Sequence, residues 1–282
     1  MSDATTVPTH RRRMSAGTWT LQIAVLAAAV AYMFPIYILI NLSLKPPGGS
    51  AFPLEPAVRP TLENFFAAWN QALLGPALIN STIVTAASTI IVVICASLAA
   101  YPLARSTSRW SSATYYAFIL GMIIPFQLAM VPLYTTFRDL GLLGTLPAMI
   151  IFYGGAQLPF AVFMYTTFMR NMQREYEEAA EIDGCGQLGK YWHIVLPMSR
   201  PITGTVVILT GIHVWNDFFA PLIYLSGGEG TVPIALYGFV GTYYAEWNLV
   251  FAGLILSALP LLIVYFAMQK NIIQGFAGGL KG

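Results

Sequence analysis

Apolar and polar positions fall in long blocks along the chain. Six apolar blocks, at about residues 19–42, 78–104, 112–136, 146–169, 202–225 and 248–270, each lie near or above the ~20 residues a helix needs to cross hydrocarbon. They predict an all-α membrane protein with six transmembrane helices. Residues 1–17 are polar, rich in Thr and Arg and without apolar periodicity, and read as a flexible tail. Prolines and paired glycines inside the blocks (Pro35, Pro125, Pro132, Gly154-Gly155, Pro159, Pro221 and Pro260) predict bends. Membrane helices tolerate such residues where neighbours or water re-satisfy the freed backbone groups.

One long polar stretch breaks the later half of the chain, from Arg174 to Pro201, between the fourth and fifth blocks. Five acids (Glu175, Glu177, Glu178, Glu181 and Asp183) crowd its start, where a helix N-terminus favours negative charge. No Gly or Pro interrupts Arg174 to Asp183, so a short helix of ~15 Å is expected. Tyr176, Ala179, Ala180 and Asp183 share one face of it, and the alanines allow a partner to approach closely. Gly184 and Gly186 permit a reversal. Leu188, Tyr191, Trp192 and Val195 then recur at helical spacing and predict a second short helix pinned to the bundle, ended by Pro197 and Pro201.

Composition agrees with a membrane protein: 57% of the 282 residues are hydrophobic, 9% are charged and the mean hydropathy is +0.66. A soluble domain carries about 25% charged residues. The net charge of +2, without a basic stripe, excludes a nucleic-acid partner. Charge placement says more. With the N-terminus in the cytoplasm, only Lys45, Arg59 and Arg138 of the 14 basic residues fall outside. The positive-inside rule therefore predicts both termini and the Arg174–Pro201 loop in the cytoplasm. The first block, preceded by Arg11-Arg12-Arg13 and followed by no cleavage signature, reads as a retained anchor.

Outside, TLENFFAAWNQALL predicts a short helix capped by Thr61, with Phe65, Phe66 and Trp69 along the interface. The aromatic residues from Tyr237 to Tyr244 read as a second interfacial group. Cys95 and Cys185 match no metal spacing, and three scattered histidines assemble neither a metal site nor a triad. Asp217 is the outstanding polar residue within the blocks. Either it lines a passage with Asn216, with His213 as its hydrogen-bond partner, or it stabilises a helix broken by Pro221, which cannot donate to its carbonyl.

Glu178-Ala179-Ala180, Gly184, Ile194 and Leu196-Pro197, at their spacing, resemble the EAA loop of inner-membrane permease subunits of binding-protein-dependent ABC importers. Asn80-Ser81, Leu158-Pro159-Phe160, Trp215-Asn216-Asp217 and the glycine-bearing C-terminus resemble the carbohydrate branch, specifically the shorter, maltose-permease-like partner of a pair. Gln173 stands where proline is frequent, and Cys185 where alanine is. The resemblance covers residues 18–282 and implies one permease domain of the bacterial inner membrane.

It also implies a mechanism by alternating access. Tyr176, Glu178, Ala179, Ala180, Asp183 and Gly184 would form a coupling helix in a groove of a cytoplasmic ATPase dimer. Gly186, Leu188, Tyr191, Ile194, Leu196 and Pro197 would support the loop, and His213, Asn216 and Asp217 would border the substrate path. Further partners implied are a second homologous permease, an extracytoplasmic binding protein and a carbohydrate. ATP and Mg would bind the partner ATPase and no cofactor this chain, which would not be an enzyme. Gly184-x-x-x-x-Gly189-Lys190 imitates a phosphate-binding loop, but Tyr191 occupies the Ser/Thr position and the segment follows a helix. The competing class is an ion-coupled secondary transporter, which would need more intramembrane carboxylates than Asp217 alone.

Overall fold

The computed structural model describes residues 16–46, 52–225, 230–240 and 246–279. Most of the expected tail, residues 1–15, and Tyr243 and Tyr244 of the second aromatic group lie outside them. Among the described residues the regular structure is helical, with no strand element.

Three helices are long and apolar enough to cross a membrane unbroken: α1 (Ala16–Ser43), α3 (Leu74–Arg105) and α14 (Trp247–Gly279), the last over Trp247–Ala267. Three bent pairs pass the same test of length and hydropathy together, and the spans number six if each pair crosses once. In the first, α4 (Arg109–Ile123) turns by 90° into Phe126–Asp139, a 3₁₀ turn followed by α5 (Met130–Asp139). In the second, α6 (Leu146–Ala156) and α7 (Leu158–Arg170) meet at 41°. In the third, residues 187–198 meet α11 (Arg200–Asn216) at 71°. Three of the six apolar blocks become unbroken helices, two become bent pairs, and the block at 202–225 joins the end of the polar loop in the third pair.

Besides the bend at Gln157, two blocks expected as single spans are interrupted by extended backbone. The block at 112–136 breaks because Pro125 disfavours helical backbone in Ile124, which is extended at φ −71° and ψ 118°. The block at 202–225 stops at Asn216. Asp217 is extended, and the short α12 (Phe219–Tyr224) starts afresh beyond it.

α3 is the central element and runs ~48 Å by its rise per residue. Its buried positions include Ala77, Ser81, Val84, Ser88, Val92, Ala96 and Ala100, spaced three or four apart. These small residues let neighbouring backbones come close, as membrane helix interfaces require. α3 packs chiefly against α7, α6 and α11. One core cluster joins Val92, Tyr165, Met169, Tyr191 and Val195 near the polar loop. A second joins Val84, Phe152, Tyr153 and Tyr224, and a third Leu74, Trp215, Leu236 and Ala252 towards the opposite end.

At that opposite end a polar knot ties α1 down. Asn41 Nδ2 donates to the carbonyls of Pro53 and Glu55, at 2.8 and 2.9 Å, and its Oδ1 accepts from the Ala57 amide. Asn64 of α2 (Glu63–Gln71) donates to the carbonyls of Ser43 and Lys45 and accepts from Asn248. Along most of its length α1 is exposed and leans on α14 alone among its principal contacts. Thr61 accepts from the Glu63 amide at 3.1 Å, one residue ahead of the capping position Leu62. Phe66 and Trp69 face outward and Phe65 is half-buried.

Candidate functional site

The first half of the polar loop folds as the helical pattern predicts. α8 (Glu175–Ile182) carries Glu175, Glu177 and Glu178 in its first turn, at its positive end. The acids do not share a fate. Glu177 is 7% exposed, whereas Glu175, Glu178 and Glu181 face outward. Arg105, in the last turn of α3, donates from Nε and Nη2 to Glu177 Oε1, and Tyr101 donates to Oε2 at 2.8 Å. Arg105 Nη1 also donates to the Met169 carbonyl at 2.6 Å, near the end of α7. A buried carboxylate is costly unless paired, and here three donors engage its two oxygens.

The end of α8 explains Gly184. The Gly184 amide donates to the Glu181 carbonyl and the Cys185 amide to the Ala180 carbonyl, at 3.0 and 2.9 Å. This pair of bonds is a Schellman cap, which places Gly184 at φ +82°. Gly186 has φ −72° and opens α9 (Gln187–Lys190), so the reversal depends on Gly184 alone. Gly189 serves a different end: a Cβ there would lie 2.6 Å from Cys185 Sγ. Lys190, the apparent phosphate-loop lysine, is 5% exposed and turned inward to Glu181, with Nζ to Oε2 at 3.0 Å.

The expected apolar stripe divides. Tyr191 and Val195 are buried, and the Tyr191 hydroxyl lies 2.8 Å from Ser97 Oγ. Leu188 and Trp192, expected to pin the second helix, are instead 73% and 53% exposed. A π-turn at Tyr191–Val195 redirects the chain, and α10 (Leu196–Met198) continues through Pro197. Pro197 lacks an amide for the His193 carbonyl, so the wider turn absorbs it and the break comes at Ser199. Of the residues expected to form a coupling helix, Tyr176, Glu178, Ala179, Asp183 and Gly184 are exposed and Ala180 is half-buried. Ile194, Leu196 and Pro197 are half-buried, and Gly186 is exposed.

Asp217 is partly turned into the bundle. Its Oδ1 accepts from the Phe219 amide at 3.0 Å, one residue ahead of the capping position of α12, and its Oδ2 accepts from Tyr153 at 2.9 Å. The partner is therefore Tyr153 of α6, where His213 was expected. His213 and Asn216 are exposed on α11, in a stripe with Leu209 and Ile212. Beside them a largely apolar groove of ≈ 430 Å³ opens between α3, α11 and α14, lined in part by Thr85, Thr89, Ile212 and Trp215.

Sequence reasoning missed Arg105, Tyr101 and Tyr153. The available signal was faint: an arginine that closes an apolar block and is drawn into the protein needs a counter-ion. Nothing local distinguishes Glu177 from the acids beside it.

A bundle of long apolar helices and bent helix pairs, with a firmly held polar helix between two of them, defines the class, a multi-pass membrane protein. Residues 92–278 match the family described as binding-protein-dependent transport system inner membrane component. The chain belongs to that family. It is a permease component and not itself an enzyme, because ATP hydrolysis in these systems resides in a separate partner.

The chain is 36% identical to the melibiose/raffinose/stachyose import permease protein MelC of Bacillus subtilis (strain 168), over 95% of its own length and 99% of that protein. It is 33% identical to the probable starch degradation products transport system permease protein AmyC of Thermoanaerobacterium thermosulfurigenes, over 77% and 80%. A bacterial ABC transporter involved in import of the acidic polysaccharide alginate contains a chain of the same fold. That chain matches at a TM-score of 0.77 and 23% identity, over 94% of this chain and all of that one.

Proposed function

We propose that the chain is a membrane permease of an ATP-driven carbohydrate importer and that α8 is its docking helix for a cytoplasmic ATPase subunit. The carrying observation is the mounting of α8. A buried ion pair with Arg105 holds it from behind through Glu177, and a second pair, from the buried Lys190 to the exposed Glu181, braces its end. Its exposed side shows Tyr176, Glu178, Ala179, Asp183 and Ile182, with Leu188 and Trp192 close by in sequence. Large exposed apolar side chains beside small ones suit a protein groove better than water.

In this reading ATP and Mg bind the ATPase dimer, whose closure moves α8 and switches the access of a central path. The loop and both termini are cytoplasmic, as the distribution of basic residues supports. A second permease completes the path, and an external binding protein delivers the substrate. Sugars are supported as cargo by the substrates named for MelC and AmyC. His213 and Asn216 suit the path or the permease-to-permease surface, since lipid satisfies neither side chain.

The test is purification of the native complex with an Ala179→Cys variant. A cross-link to an ATPase subunit, with sugar uptake that follows ATP, is the expected result. Uptake that follows an ion gradient, with no ATPase present, would establish a secondary transporter instead.

A further inference from the structure

Glu177 lies on the rear of α8, away from the face offered to a partner, and it is the residue through which that helix grips the bundle. Its counter-ion Arg105 does two things at once. It pairs with Glu177 and it holds the Met169 carbonyl of α7. Tyr101, one turn earlier on α3, donates to the same carboxylate, and its ring lies 5.8 Å from that of Tyr191 in the π-turn. Tyr191 in turn meets Ser97 of α3. Three positions four apart on α3 (Ser97, Tyr101 and Arg105) therefore hold the two ends of the polar loop.

α3 continues unbroken to the opposite end of the bundle. There Ser81 Oγ accepts from the Val232 amide at 2.9 Å, and Asn80 donates to the Gly230 carbonyl at 3.2 Å. Of its two prolines, Pro76 falls in the first turn and Pro102 one turn from the end, so none interrupts its middle. The bent pairs on either side of α3 would absorb an axial push at their breaks, whereas a continuous helix passes it on.

We propose that the Glu177–Arg105 pair is the pin that transmits displacement of α8 into α3, with α3 carrying it across to the Gly230–Val232 segment. The proposal rests on the docking role of α8 and assigns positioning roles to Glu177, Arg105 and Tyr101. Contact with a partner falls to other residues. The planar fork of Arg105 matters as much as its charge, because one rigid group must engage Glu177 of α8 and the Met169 carbonyl of α7 together.

The experiment uses the complete importer with Glu177→Gln, Arg105→Lys and Arg105→Gln, each with and without Ala179→Cys. Three quantities are read: ATPase subunit retained per permease, cross-linking at residue 179, and stimulation of ATPase by sugar-loaded binding protein. Glu177→Gln is expected to keep the subunit and the cross-link while stimulation falls about tenfold, within the usual range for coupling between sites. Arg105→Lys should retain more stimulation than Arg105→Gln. Stimulation within twofold of wild type in Glu177→Gln overturns the proposal. So does loss of the ATPase subunit from all three variants, which would mark the pair as merely structural. Absence of the cross-link in the otherwise unaltered chain would instead sink the docking reading on which the pin depends.

Discussion

Replacing Gly184 tests the loop at the position where backbone geometry is most demanding. Nothing lies within 4 Å of a Cβ built there, so any cost comes from φ +82° and not from a clash. A non-glycine residue in left-handed backbone costs about 1–2 kcal/mol, and a β-branched one lies at the upper end or beyond. Relaxing φ instead breaks the two capping bonds from the Gly184 and Cys185 amides, worth about 1 kcal/mol each. Gly184→Val should therefore loosen the end of α8 by about 2–3 kcal/mol, Gly184→Ala by about 1, and Gly184→Asn by less.

Gly186 provides the control, because φ −72° and open space should let alanine in at almost no cost. Amide hydrogen exchange at Gly184 and Cys185, in a lipid nanodisc, reads the local opening directly. With tenfold for each 1.4 kcal/mol, Gly184→Val should exchange roughly 30–150 times faster at residue 185. If Gly184→Val protects that amide as well as Gly186→Ala does, the reasoning from the left-handed cap is wrong.

Two further predictions concern residues whose roles emerged from packing. Asp217→Ala removes the acceptors of both the Phe219 amide and the Tyr153 hydroxyl and should cost about 2–4 kcal/mol in thermal unfolding, whereas Asp217→Asn keeps an acceptor for the Phe219 amide and should cost about 1–2. If Asp217→Asn leaves the midpoint unchanged but abolishes uptake, Asp217 belongs to the path and the structural account fails. Gly189→Ala should destabilise by about 1–3 kcal/mol through overpacking against Cys185 Sγ, and Cys185→Ala should restore most of that loss. Additive effects in that double-mutant cycle would refute the contact.

The helix over Arg174–Asp183 was legible because its causes are local: helix-forming residues, acids at the positive end and a glycine where the cap needs left-handed backbone. The six apolar blocks were legible because hydrocarbon thickness sets their length. Their bends were only half legible. Hydropathy is unchanged by a 90° turn, so of several internal prolines the sequence could not rank Pro125 above Pro260, which lies inside the long helix α14.

By itself, then, the amino-acid order determined that the chain spans a membrane, where its polar loop lies, and that a glycine pair turns that loop; the structure assigns the turn to Gly184. The tertiary structure decided which acid faces inward and what Asp217 holds. Glu177 and Glu178 are equivalent in sequence, and a partner 72 positions away, Arg105, separates them. His213 is the nearer neighbour of Asp217 along the chain, yet Tyr153, 64 positions away, takes the bond. Pairing of buried polar groups is a long-range condition, because the cost of leaving one unpaired depends on what the whole bundle brings within ~3 Å of it.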